Sequence, residues 1–131
     1  MTAATPRSTS NAMYWTGWVL SVLPSLLLLF SGTMKLLNPP DLAKNFEHLG
    51  YPASLALVLG IVEVGSTLIY LFPPTAALGA ILLTGYLGGA VATHARLQET
   101  QFIAPAIMGV VLWLGLFLRD SRVRALIPIR R

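Results

Sequence analysis

Four long apolar runs, at residues 15–34, 53–72, 76–93 and 102–118, divide this chain, and the polar positions between them are few. Each run is near the roughly 20 residues that a helix needs to cross a hydrocarbon core of about 30 Å. None shows the alternation of apolar and polar positions that a barrel strand requires. Only helices or closed barrels satisfy their backbone in such a solvent. The pattern therefore predicts an all-α membrane four-helix bundle, with transmembrane helices at about residues 15–36, 53–72, 76–95 and 102–118. Pro24 falls inside the first run, removes a backbone donor there, and is expected to kink that helix. Tyr14, Trp15 and Trp18 are placed as interfacial anchors.

The connections refine this picture. Pro73-Pro74 leaves almost no loop between the second and third spans, so these form a tight antiparallel hairpin. A short polar link, residues 96–101, joins the third span to the fourth. The first link is longer and carries its own period: Leu42, Phe46 and Leu49 share one helical face, with Lys44, Glu47 and His48 largely opposite. This predicts a short amphipathic helix lying over the bundle, begun by Asn38 or Asp41 and ended at Gly50. Residues 1–13 are polar and expected to be a disordered tail. The apolar run behind them is too long for the core of a signal peptide.

Composition agrees with a membrane solvent: 11% of the 131 residues are charged, against about 25% in soluble domains. There is no cysteine, which excludes disulfides, thiolate metal sites and cysteine nucleophiles. Net charge is +4, and five of the nine Lys and Arg follow residue 118. No soluble domain is available to carry a nucleic-acid-binding face. Residues 120–131 read instead as a basic cytoplasmic tail that attracts anionic lipid. Counting Lys and Arg on the two sides places both termini in the cytoplasm.

Three ionisable residues fall within or at the edge of the apolar slab: Lys35, Glu63 and His94. An unpaired carboxylate at the depth of Glu63 costs on the order of a few kcal/mol, so it requires a partner, a proton or a function. Lys35 and His94 end the first and third spans, and their side chains lean back toward mid-membrane; Glu63 leans the other way. The three are expected to meet in the outer half of the bundle. Gly60, Glu63 and Tyr70 on one helix, Ser21, Ser25 and Lys35 on another, and Tyr86 and His94 on a third continue the polar seam. Glu63 and His94 are the candidate catalytic groups, and Lys35, Glu63, Tyr86 and His94 the candidate ligand-binding groups. Each has a structural alternative: Lys35 snorkelling to headgroups, His94 and the rim pair Arg96–Glu99 at the interface, Glu63 in a fixed ion pair. Gly85 and Gly89 form a GxxxG expected to serve close helix packing. No HExxH, phosphate loop or GxSxG is present. Two histidines and few carboxylates give no metal site.

The segment Phe30-Ser31-Gly32-Thr33-Met34-Lys35-Leu36 resembles the F-x-G-x-x-K-L signature that ends the first helix of DoxX-like membrane proteins. Leu59-Gly60-Ile61-Val62-Glu63 resembles that family's glycine-then-glutamate pattern, and Ala90-Val91-Ala92-Thr93-His94 the end of its third helix. Pro105 and Leu118-Arg119 also fit. The resemblance implies a four-helix inner-membrane protein of bacteria or archaea. It also implies a quinone- or lipid-linked accessory subunit of a redox system, as some DoxX and DoxD relatives are. The missing cysteines depart from thiol-based members. The alternative is a non-enzymatic scaffold or partner-binding subunit with Lys35–Glu63 as a structural pair. No cofactor is evident beyond a candidate quinone. The candidate partners are the lipid bilayer, a redox partner protein and a second copy of the chain.

Overall fold

Each of the four apolar runs contains a helix in the computed structural model, which describes residues 9–37, 39–52 and 54–130. The elements are α1 (Asn11–Leu37), α2 (Pro40–His48), α3 (Leu55–Leu71), α4 (Ala76–Arg96), α5 (Ile103–Arg119) and α6 (Ser121–Leu126). Short 3-10 turns at Pro73–Thr75 and Thr100–Phe102 join α3 to α4 and precede α5. Among the described residues there is no strand. The spans Asn11–Leu37, Pro73–Arg96 and Thr100–Arg119 are long and apolar enough to cross a membrane. α3 is equally apolar, but its 17 residues rise only about 26 Å.

α1 packs against α3 and α5, and α4 packs against the same two, so the four helices close into a ring. The outer surface is apolar, unlike that of a water-soluble bundle, and the interior mixes apolar side chains such as Leu83 and Leu116 with buried polar ones. Leu27, Phe30 and Val110 are 61%, 68% and 68% exposed, whereas Ser21, Ser25 and Thr67 are fully buried. In an apolar solvent, burial of apolar surface does not drive helices together, and small residues that permit close backbone approach do. A Cβ on Gly17 would lie 2.6 Å from the carbonyl oxygen of Gly115, and one on Gly79 would collide with the backbone of Tyr70. These contacts fix α1 against α5 and α4 against α3.

Several expectations need correction. The GxxxG glycines Gly85 and Gly89 make no close helix contact, because a Cβ on either would meet nothing within 4 Å. Their smooth face borders open space instead. α1 starts at Asn11, inside the segment expected to be a tail, because the Ser10 hydroxyl accepts from the Met13 N–H at 3.2 Å and caps it. Apart from these corrections, Pro24 lies inside α1, where the sequence placed it. Ser25 Oγ donates to the Ser21 carbonyl one turn back, at 2.6 Å. Residues 120–130 are not a simple tail. Asp120 caps α6, and Arg124 is buried, donating to the Phe117 and Leu118 carbonyls at 2.8 and 2.9 Å. Those carbonyls end α5 and lack intrahelical donors, which explains why a cation folds back onto them. Asp41 is not the cap of α2; Pro39 precedes the helix without a side-chain bond, and Pro40 occupies its first turn. Gly50 does take up a left-handed φ of 83° just past α2. The tail expected over residues 1–8, the candidate cap Asn38, the expected helix start Ala53 and the tail residue Arg131 lie outside the described residues.

Candidate functional site

α3 places Glu63 on a buried stripe with Gly60 and Thr67, one turn apart on either side. At 1% exposure the carboxylate is inside the bundle. Two neighbouring helices supply its donors. Lys35, in the last turn of α1, donates from Nζ to Glu63 Oε1 at 2.8 Å and to Ser31 Oγ at 2.8 Å. Tyr86 of α4 donates its hydroxyl to the same Oε1 at 2.5 Å. One carboxylate oxygen thus ties three helices. Oε2 has no protein partner among the described residues. Such charge-assisted bonds are about twice as strong as neutral ones, so this carboxylate holds Lys35 and Tyr86 in fixed positions.

Lys35 and Tyr86 form part of the wall of a cavity of about 760 Å³. Its other walls are mainly apolar, from Phe30, Met34, Leu59 and Val62 on α1 and α3. Gly85 and Gly89 line it on α4, and the missing side chains leave it room. α2 forms the roof with Phe46 and Leu49, both buried, while Lys44, Glu47 and His48 are exposed as the amphipathic pattern predicts. A lysine has three donors, and two are used by Ser31 and Glu63. The third has no partner among the described residues, and Lys35 lines the cavity.

His94 lines the same cavity, but its ion-pair partner among the described residues is Glu99 and not Glu63. Its Nδ1 lies 3.2 Å from Glu99 Oε2, while His48 Nε2 of α2 lies 2.5 Å from Glu99 Oε1. The expected rim pair Arg96–Glu99 is therefore replaced: Glu99 joins two histidines, and Arg96 donates to the Leu49 carbonyl at 2.6 Å. The physical reason is α2, whose end brings both a ring nitrogen and an unpaired carbonyl to the rim. Hydrogen bonds from His48, and then from His94, hold the Glu99 carboxyl below the usual carboxylate range. Tyr51 also reaches across, its hydroxyl 2.6 Å from Thr93 Oγ1. Together these contacts clasp α2 over the cavity.

The predicted polar seam divides in two. Gly60, Glu63, Lys35 and Tyr86 belong to the cavity, whereas Ser21 and Tyr70 meet Arg119 near the opposite end of the bundle. Arg119 was legible as a positive charge closing an apolar run and as part of the family resemblance, but no spacing marks it as buried. Tyr51 stands beside Pro52 in a loop and likewise gives no periodic signal.

No curated protein and no solved structure matches this chain. A family model described as the DoxX-like family matches residues 19–116, which include Lys35, Glu63, Tyr86 and His94. The match spans well over half of the sequence, and the chain belongs to the DoxX-like family.

Proposed function

We propose that this protein is a four-span inner-membrane subunit that binds a quinone-type molecule in the cavity beneath α2, as an accessory to a redox system. The observation that carries the reading is the unused Lys35 donor on the wall of an apolar cavity, held in place by buried Glu63. About 760 Å³ falls within the roughly 300–1,000 Å³ of small-molecule sites, which are mainly apolar with a few fixed polar groups. A ring carbonyl fits the Lys35 donor, and an apolar tail fits the walls and the lipid beyond them. A quinone, when bound, supplies a two-electron, two-proton carrier; the electrons come from a redox partner protein.

The chain's own residues bind and hold protons. Lys35 orients a carbonyl oxygen, Tyr86 closes one side, and Glu63 holds both. Glu63 and His94 are the proton-carrying groups of this reading, with His94 linking the cavity wall to Glu99 at the rim. Both termini lie in the cytoplasm, so the cavity opens toward the outer leaflet.

The test is a titration of the detergent-solubilised protein with a short-chain ubiquinone, followed by calorimetry. Saturable binding that weakens about tenfold or more in Lys35→Met, the loss of one charge-assisted hydrogen bond, is expected. Absence of saturable binding, or equal affinity in the variant, overturns the reading. A second reading has its own support: the Lys35–Glu63 pair is closed and direct at 2.8 Å, as a structural pair in a non-catalytic scaffold would be. That scaffold binds no quinone.

A further inference from the structure

The end of the bundle away from the cavity carries a buried cation with no carboxylate partner among the described residues. Arg119, 8% exposed, closes α5. Its Nε donates to Ser21 Oγ at 3.0 Å, and one Nη2 proton reaches toward the Tyr70 carbonyl at 3.4 Å. The guanidinium lies over the Trp18 ring at 4.1 Å and near the Tyr70 ring at 5.2 Å. Tyr70 is fixed in turn: its hydroxyl donates to the Leu112 carbonyl at 2.6 Å and stands 2.9 Å from Ser21 Oγ. The plane of the Arg119 fork is therefore set by three helices.

The remaining donors have a direction. A guanidinium has five N–H groups, and two are used. Nη1 makes no bond among the described residues, and Arg119 lines the adjoining pocket. That pocket, about 350 Å³, is lined by Tyr14, Trp18, Pro73, Arg119, Asp120 and Arg122. Asp120 is already committed. It accepts the Arg122 backbone N–H at 2.9 Å as the cap of α6, and Arg122 Nε at 3.3 Å. Two arginines against one aspartate leave the pocket one positive charge in excess. A buried charge is costly unless countered, and ring faces and one long carbonyl contact only partly counter this one.

We propose that this pocket binds a phosphate group, held by the free edge of Arg119 and by Arg122. A planar fork with parallel N–H groups matches phosphate oxygens in a way that a point charge does not. Tyr14 and Trp18 on the wall are residue types that sit at headgroup level. The phosphate has two sources, the headgroup of an anionic lipid or a soluble phosphate. Placement at a headgroup rests on the four-span reading; the phosphate chemistry does not.

The protein is placed in nanodiscs of phosphatidylcholine alone, or of three parts phosphatidylcholine to one part phosphatidylglycerol. It is then released in mild detergent and weighed by native mass spectrometry. Preferential retention of one phosphatidylglycerol is expected, reduced about tenfold in Arg122→Gln and in Arg119→Lys, which keeps the charge but loses the fork. Arg122 is 77% exposed on its side chain, so its variant leaves the fold intact and isolates the site. Displacement of the lipid by millimolar inorganic phosphate identifies a soluble ligand, and resistance to it identifies a headgroup; both support the site. Lipid retention that neither substitution changes overturns it, whichever lipid is retained, because both carry a phosphate. Quinone titration of Arg122→Gln reads the other end of the bundle and separates this result from failure of the cavity assignment.

Discussion

Replacing Glu63 by Gln keeps the shape of the side chain and removes its charge. In the native bundle Glu63 Oε1 takes bonds from Lys35 and Tyr86 at 2.8 and 2.5 Å, with the carboxylate 1% exposed. Removing one partner of a buried ion pair costs about 3–5 kcal/mol, because the other charge is left buried and unpaired. Lys35 is 15% exposed and keeps its bond to Ser31, which places the expected loss near the lower end, about 3 kcal/mol. Adding Lys35→Met removes the orphaned charge and substitutes an unbranched apolar chain of similar length. The double variant is therefore expected to recover most of the loss. The assay is equilibrium unfolding in dodecyl maltoside titrated with sodium dodecyl sulfate, run as a double-mutant cycle. If Glu63→Gln unfolds within about 0.5 kcal/mol of the parent, the range of changes that touch no buried network, the pair does not hold the bundle. A double variant no more stable than Glu63→Gln alone would refute the reasoning in the same way.

Two glycines on α4 should behave oppositely. Gly79→Ala forces a Cβ into the Tyr70 backbone and should cost about 2 kcal/mol or more by overpacking, read as earlier unfolding in the same titration. Gly89→Ala meets nothing within 4 Å. It should gain about 0.5–1 kcal/mol through helix propensity while weakening quinone binding, because the new methyl enters the cavity. The rim clasp should depend on pH through Glu99. With its carboxyl held below the usual range by His48 and His94, its contribution is complete above the ordinary carboxylate pKa and is lost as pH falls through the lower folded value. Hydrogen-exchange protection of α2 should thus persist from neutral pH down to the carboxylate range and fall only below it; Glu99→Gln should lower that protection already at neutral pH. Unchanged protection in Glu99→Gln would show that the clasp does not retain α2.

Much of this fold was legible because the membrane solvent simplifies the pattern. A helix that must satisfy its backbone internally announces itself as a long apolar run. Glu63 stood out because charge is costly at its depth, and Lys35 and Tyr86 followed from helical spacing. His94 was placed on the correct helix end but given the wrong neighbour. Its partner Glu99 is held by α2, and the position of a loop helix depends on tertiary contacts such as Arg96 to the Leu49 carbonyl. Gly85 and Gly89 show the same limit from another side. A small-residue stripe marks a smooth helix face, but whether that face meets a helix or a cavity depends on what stands opposite. Arg119 was hidden because a cation after an apolar run usually marks topology, and only the fold brings Trp18, Ser21 and Tyr70 around it.

The most direct test of the cavity is photolabelling of the membrane-embedded protein with an azido-substituted short-chain quinone, followed by peptide mapping. Labels are predicted on the α1 residues Met34 and Lys35 and on the α4 segment containing Tyr86 and Ala90, which line the cavity, and excess unlabelled quinone should suppress them. Labels confined to outward-facing positions such as Leu23 and Val110, which are 58% and 68% exposed, and insensitive to competitor, would contradict the account.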